Sequence, residues 1–145
     1  MRTPLSISFL LIALLGCSPS TARVITTPNA TQIAEFTANA KITLPVSAQP
    51  IGWREERGMD AALWLQVRMP ETELQGFLDG SPFRSAKLST NDQSLVFKFR
   101  DFFPTLPVRY RCAEQALPNA RFLNILIIDD SDTTNALVSL MWHET

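Results

Sequence analysis

The sequence contains few of the residues that most often carry chemistry. Its 145 residues include one histidine and two cysteines. This scarcity argues against a zinc site, because such sites combine several His and Cys ligands. Neither sign of charge is in excess, since 13 Lys and Arg stand against 14 Asp and Glu. A near-neutral chain without a basic stretch offers no electrostatic surface for nucleic acid, so we expect no nucleic-acid partner.

Long apolar runs are also absent, apart from one near the N-terminus. The run from Leu5 to Leu15 is apolar except at Ser6 and Ser8, and Arg2 is the one charge that precedes it. As a helix it would span about 16 Å, roughly half of a hydrocarbon core. It is therefore too short for a comfortable membrane span and has the length of the apolar part of an export signal.

The run ends in Leu14-Leu15-Gly16-Cys17, which resembles the lipobox of bacterial lipoproteins. The resemblance implies that residues 1–16 are a signal peptide and that Cys17 becomes the lipid-carrying first residue. Two or three acyl chains, palmitate among them, then hold the protein on a membrane of the cell envelope. Because Ser18 follows the cysteine, a Gram-negative cell would place it on the periplasmic side of the outer membrane. The alternative is an ordinary secretory signal with a chance cysteine.

After removal of residues 1–16, the remaining chain has the usual length of a single domain. The removal takes away one positive charge, so 12 Lys and Arg face 14 Asp and Glu, with a net charge of −2. Residues 17–40 are predicted to hold the lipidated cysteine, a tether rich in Ser, Thr and Pro, and a short helix capped by Thr31. Residues 41–145 are predicted to form the globular domain.

The first half of that domain has clear periodicity. Residues 62–69 alternate between apolar and other side chains, which predicts a strand that pairs with residues 51–57 as a hairpin. Pro70 then predicts the start of a helix that ends at Gly80. The apolar face of this helix has the spacing i, i+3, i+4, and its residues are Leu74, Phe77 and Leu78.

The second half is predicted to supply three more strands. Residues 95–100 alternate, residues 122–128 are apolar on both faces, and residues 136–143 return as a last strand. A strand that is apolar on both faces indicates a central position with cover on both sides. The residues between 101 and 120 are interpreted as a long irregular loop. The fold class is thus α+β: a single domain with a largely antiparallel sheet of about five strands and one short packed helix.

A second, diffuse resemblance covers residues 44–145. The segments that carry it are Leu44-Pro45-x-Ser47-Ala48, Gly58-Met59-Asp60, Met69-Pro70 and Phe77-Leu78. They are similar to small bacterial exported proteins of unassigned activity, so this resemblance implies no function.

The loop 101–120 contains the best candidate for partner binding. Arg109, Tyr110 and Arg111 follow a stretch rich in phenylalanine and proline. Aromatic residues and arginine dominate the energetic centres of protein interfaces, and long loops in small domains are often functional. The alternative is that the phenylalanines and Leu106 cover the sheet.

Asp130, Asp132 and Thr134 have the 1, 3, 5 spacing of ligands in a calcium loop. The glycine and glutamate that such a loop needs are replaced by Asn135 and Met141. These acidic residues are therefore weak metal candidates, and a turn between two strands is the simpler interpretation.

Two further groups of residues are weak catalytic candidates. Cys112 and His143 are the only residues that could form a nucleophile–base pair, but neither lies in a catalytic motif. Glu55, Glu56 and Asp60 alternate with arginines, which favours a solvated hairpin tip. We therefore expect no enzyme activity, no catalytic residues and no cofactor.

The sequence thus predicts a lipid-anchored envelope protein that acts as a binding or structural accessory module. Its expected partners are the membrane, through the lipid anchor, and an envelope protein. Two alternatives remain open: a periplasmic lipoprotein that binds a small ligand or metal, and an inhibitor or immunity protein of an envelope enzyme.

The lipid anchor leads to a direct prediction for Cys17→Ala. The variant should not incorporate labelled palmitate, because the acylated residue is gone. It should also keep residues 1–16 and should not be anchored by lipid to the envelope membrane. Palmitate labelling and cell fractionation measure this. A Cys17→Ala protein that stays labelled would contradict the lipobox.

Overall fold

A five-stranded antiparallel sheet forms the middle of the molecule in a computed structural model, which describes residues 25–129 and 134–145. The spatial order is β1-β2-β5-β4-β3, and all neighbouring strands are antiparallel. The predicted α+β class and five-stranded sheet are confirmed. The strands are β1 (Gln49–Glu56), β2 (Ala62–Pro70), β3 (Arg111–Leu117), β4 (Arg121–Ile128) and β5 (Asn135–Glu144).

Short helices lie on both faces of this sheet. Within the described ranges there are three α-helices and two 3₁₀ turns, where the sequence had indicated one packed helix. None of the described helices is long and apolar enough to cross a bilayer. The helices are α1 (Ala30–Ala40), α2 (Glu71–Asp79) and α3 (Gln93–Phe97), and the 3₁₀ turns are Pro82–Ser85 and Arg100–Phe102.

The N-cap of helix α1 is Asn29, two residues earlier than the predicted Thr31. The side chain of Asn29 accepts a hydrogen bond from the backbone N–H of Gln32 at 2.9 Å, and the Gln32 side chain accepts from the Asn29 N–H at 2.9 Å. This reciprocal capping box replaces the predicted Thr31 cap. Phe36 and Ala40 are fully buried, so α1 is part of the packed body.

The main core lies on one face of the sheet, beneath α1 and α2. The predicted alternation of β2 is confirmed here, because its odd-numbered residues all face this core. The predicted hairpin with β1 and the predicted apolar face of α2 are confirmed as well. Members of the main core include Phe36, Trp53, Leu63, Leu65, Val67, Met69, Leu74, Phe77, Leu78, Leu123, Ile125, Ile127, Val138, Leu140 and Trp142.

The second core lies on the opposite face, beneath α3, and here the strand predicted at residues 95–100 is wrong. Asp92 caps a helix instead, because its carboxylate accepts from the backbone N–H of Leu95 at 3.0 Å. The buried residues are Leu95, Val96 and Phe99, whose spacing is that of a helix face. Alternating phenylalanines produced the misleading strand pattern.

The third strand of the sheet is β3, which falls inside the segment interpreted as a loop. That interpretation is wrong for residues 111–117. The strand was missed because its alternation is weak and because Ala, Glu and Gln favour strands poorly. As an edge strand β3 pairs along its length only with β4, so it needs little apolar surface.

Strand β4 has the predicted cover on both faces. Leu123, Ile125 and Ile127 lie in the main core, whereas Leu126 lies in the second core. The strand is interior, but the middle of the sheet is β5, which pairs with both β2 and β4.

Two contacts attach the α3 segment to the sheet. The indole N–H of Trp64 donates to the carbonyl oxygen of Lys98 at 3.1 Å, and Phe102 packs against the backbone of Gly52. A Cβ atom at residue 52 would lie 2.9 Å from the Phe102 ring. Glycine is therefore needed there for close approach.

We predict that Phe77→Asp destabilises the domain by at least about 3 kcal/mol, because it removes a large side chain and buries a charge. Phe77 is only 5% exposed and packs in the main core. Thr72→Asp, on the exposed side of the same helix, is the control and should change stability by less than about 0.5 kcal/mol. Urea unfolding measures both. Equal stability of the two variants would contradict the packing of α2.

Candidate functional site

A groove lies between α3 and the loop that precedes β3. Its volume is about 560 Å³, which is within the usual range of ligand pockets. The floor holds the buried residues Val96 and Tyr110. The lining residues are Thr90, Asn91, Gln93, Val96, Phe97, Leu106, Pro107, Val108 and Tyr110.

The rim of this groove is unusually apolar. Phe97 is 52% exposed, Leu106 is 39% exposed and Val108 is 92% exposed. In the described ranges only two other large hydrophobic residues are exposed, Val46 and Met59. The exposed apolar surface is therefore concentrated at one concave place, which is the pattern of an interaction site.

The fold fixes both walls of the groove. On one side, the Asp92 cap sets the direction of α3, so that Val96 points into the second core and Phe97 does not. On the other side, Ser89 and Cys112 exchange backbone hydrogen bonds of 2.7 and 2.8 Å. This bridge fixes the chain just after Tyr110, where the second wall ends.

Basic side chains lie beside the apolar rim. The Arg100 guanidinium stacks on the Phe97 ring, 4.7 Å from its centroid. Its Nε atom lies 3.8 Å from Asp101 Oδ1, whereas Arg54 lies 3.0 Å from the other Asp101 oxygen. Arg54, which also contacts Glu56, is thus the closer partner of Asp101, and Arg100 keeps donors available.

The structure separates the three residues proposed for partner binding. Arg109 is exposed and makes no ion pair within the described ranges. Tyr110 is buried at the groove floor, and burial raises the pKa of its phenol. Arg111 forms a two-pronged ion pair with Asp129, at 3.1 and 2.5 Å. Partner binding by these residues stays a prediction, but only Arg109 has its charge free.

The residues missed by the sequence interpretation are those of the opposite wall. Phe97 belongs to the segment 95–100 that was predicted as a strand, and Thr90 and Gln93 lie just before that segment. A helical interpretation of residues 93–99 would have placed Phe97 on the outer face, next to the loop. The Asp92-Gln93-Ser94-Leu95 start was the available signal, because Asp is a favoured cap.

The weak metal candidates Asp130 and Asp132 lie outside the described residues. Their neighbour Asp129 is engaged by Arg111. Among residues 25–129 and 134–145, no group of three or more His, Cys, Asp or Glu side chains is placed to hold a metal ion.

The structure does not bring Cys112 and His143 together. They lie on β3 and β5, with β4 between them, and the register places them about four residues apart along the strands. Strand spacing and rise then separate them by on the order of 15 Å. Cys112 is fully buried, and burial raises the pKa of its thiol, so it resembles a small core residue.

Two of the three acidic hairpin candidates, Glu55 and Glu56, contact arginines. Arg54 contacts Glu56, and Arg57 lies 3.1 Å from Glu55. Glu56 and Asp60 also line a smaller cavity of about 270 Å³ together with His143. That cavity is shallow compared with the groove beside α3.

A polar cluster lies on the second face, at the end of α3. Lys98 Nζ donates to Glu114 at 2.7 Å and to the Asn124 side-chain oxygen at 3.2 Å. Asn124 is fully buried, and its amide nitrogen has no partner within the described residues. Nε2 of His143 is likewise buried and has no hydrogen-bond partner among these residues. The His143 ring stacks on Phe122 with 5.3 Å between the ring centroids.

Comparison with known proteins assigns no family to this arrangement. The chain matches no protein-family model, and neither a curated protein nor a solved structure shows significant similarity to it. The function must therefore be argued from the groove and from the sequence alone.

We predict that His143 makes stability fall in mild acid. Burial lowers the pKa of His143 from its ordinary value of 6.5, and Lys98 lowers it further, against opposing effects of Glu114 and the Glu144 backbone. The unfolded chain then binds more protons than the folded chain below about pH 6.5. The stability contributed by the neutral ring is present above that pH and is lost as the pH falls through the folded value.

Urea unfolding between about pH 7.5 and pH 5.5 measures this effect, because carboxylates titrate lower. His143 is the one histidine in the chain, so His143→Gln is a clean control. The wild type should lose more stability over this range than the variant. A parallel decline in both proteins would show that His143 is not responsible.

Proposed function

We propose that the protein is a lipid-anchored component of the bacterial cell envelope whose domain binds a segment of a partner protein in the groove beside α3. One observation carries the binding part of this proposal. Three of the five large hydrophobic side chains exposed in the described residues, Phe97, Leu106 and Val108, gather around a single concave site.

Burial of this rim by a partner would contribute useful binding energy. Covering a large apolar side chain completely stabilises a complex by about 1.5–3 kcal/mol, and partial cover gives proportionately less. Two arginines lie next to these residues, and arginine is enriched in the energetic centres of protein interfaces. The surrounding elements are already packed, so little ordering of the groove is needed on binding.

The polar end of the groove favours a peptide over a purely apolar ligand. Thr90 and Gln93 are exposed, uncharged and without side-chain partners in the described ranges. Such side chains can both donate to and accept from a peptide backbone. An amphipathic groove of this kind accommodates one or two apolar side chains and hydrogen-bonds the chain that carries them.

The lipid anchor would place this groove close to the membrane. In the part of the chain that the structure describes, Thr26 is the first residue that pairs with the sheet, through backbone hydrogen bonds of 3.1 and 2.7 Å with Trp53. Nine residue steps from Cys17 can span at most about 30 Å. Partners that lie within a few nanometres of the lipid surface would therefore be within reach.

We predict that a photocrosslinking residue at Val108 forms a protein adduct in the native envelope. The same residue at Met59, which is equally exposed but lies in the turn between β1 and β2, toward the sheet edge opposite β3, should not give that adduct. Phe97→Asp in the Val108-labelled protein should abolish the adduct without lowering the melting temperature, because Phe97 is half exposed. Immunoblotting detects the adduct.

Two outcomes would reject the groove as the binding site. One is the same adduct from both labelled positions, which would indicate non-specific proximity. The other is an adduct from Val108 that survives Phe97→Asp, because the apolar wall would then make no contribution to binding.

A further inference from the structure

We infer that the segment bound in the groove is acidic as well as apolar: an extended peptide with one bulky apolar side chain and a carboxylate within a few residues of it. This inference rests on the proposed function and names the chemistry of the partner. It follows from the charges around the rim, which the apolar lining alone does not determine.

Arg100 supplies the first positive charge. Its guanidinium is held over the Phe97 ring at 4.7 Å, so the charge lies directly beside the apolar wall. The Arg100 side chain is 59% exposed, and its nearest carboxylate atom is at 3.8 Å, beyond hydrogen-bond distance. A guanidinium stacked on an aromatic ring keeps its edge donors free for a carboxylate.

Arg109 supplies the second positive charge, next along the chain to residues of the opposite wall. It lies between Val108 and Tyr110, which both line the groove. It is exposed, and no carboxylate within the described ranges pairs with it. Two arginines near Arg100 and Arg109 are paired, Arg54 with Asp101 and Glu56, and Arg111 with Asp129. Arg100 and Arg109 are therefore the cations next to the groove residues that keep donors available.

Two acidic residues lie near these cations: Asp101, which Arg54 contacts at 3.0 Å, and Asp92, which caps α3. The Asp92 carboxylate accepts from Ser94 Oγ at 2.7 Å and from the Leu95 N–H at 3.0 Å. These hydrogen bonds lower the pKa of Asp92, so its charge persists but is directed at the cap of α3. The oxygen of Asp92 that accepts these hydrogen bonds is occupied at the cap, whereas the donors of Arg100 and Arg109 stay available.

The shape of the groove distinguishes a peptide from a membrane surface. Val96 and Tyr110 form a floor that is almost inaccessible, 2% and 8% exposed. A planar bilayer could cover the rim but could not fill a cavity of about 560 Å³. A protruding side chain on an extended segment could reach this floor.

Panning of a random dodecapeptide display library against the full-length protein, purified in detergent, tests this inference. We expect enriched peptides that combine a bulky apolar residue with Asp or Glu. Arg100→Gln combined with Arg109→Gln should weaken their binding about three- to tenfold and reduce its salt dependence. Arg84→Gln is the matched control, because Arg84 is exposed but lies on the 3₁₀ turn of the other face.

The outcomes separate the two proposals. Enriched peptides that need Phe97 and Val108 but carry no acidic residue, and that ignore both arginine changes, would overturn the inference and leave the proposed function standing. A library from which no peptide binds in a Phe97-dependent way would overturn the proposed function itself.

A membrane role for the rim is tested with a fluorophore. An environment-sensitive dye on Val108→Cys should keep its aqueous emission in proteoliposomes of phosphatidylethanolamine and phosphatidylglycerol. A blue shift there would indicate that the rim inserts into lipid, and would overturn the inference.

Discussion

The sheet of this protein must be covered on both faces, and the rest of the structure follows from that constraint. Strands β2, β5 and β4 carry apolar side chains on each side. One face is covered by α1, α2 and the 3₁₀ turn Pro82–Ser85. The other receives only α3, its 3₁₀ turn and the loop before β3. Because this second cover consists of short pieces that meet imperfectly, a groove remains between them.

The anchoring of this second cover explains why such short elements are ordered at all. A five-residue helix has no stability of its own in water. Here the Trp64 indole N–H donates to the carbonyl oxygen of Lys98, and the Lys98 ammonium donates to Glu114 and Asn124. One lysine thus joins the end of α3 to three strands. Its backbone carbonyl bonds to β2, and its side chain bonds to β3 and β4.

Local patterns predicted the elements whose burial is periodic. The alternation of residues 62–69, the spacing of Leu74, Phe77 and Leu78, and the two-sided run 122–128 each gave the correct element, because tertiary packing reinforced the pattern. Residues 95–100 failed, since Leu95, Val96 and Phe99 fit a helix as well as the phenylalanines fit a strand. Strand β3 was not predicted because it lies at the sheet edge. Its side chains there need not alternate strongly between apolar and polar.

The candidate site could be predicted only in part for a related reason. The sequence pointed to Arg109, which is exposed next to the groove residue Val108. It grouped Arg109 with Tyr110, which lies at the groove floor, and with Arg111, which pairs with Asp129. The other wall comes from α3, so it depends on which residues approach one another in space. Long-range proximity of this kind is not encoded in spacing along the chain.

The close approach of Phe102 to Gly52 has a consequence for how a partner would associate. The Phe102 ring packs directly on the Gly52 backbone. The segment that carries Phe97 is therefore attached to the sheet at two points, through Phe102 and through the hydrogen bond from Trp64. A receptor surface fixed at two points presents one shape before and after the encounter. Association would then resemble the docking of rigid bodies, with its speed set by diffusion and orientation, while the lifetime of the complex would depend on how well the incoming side chain fits.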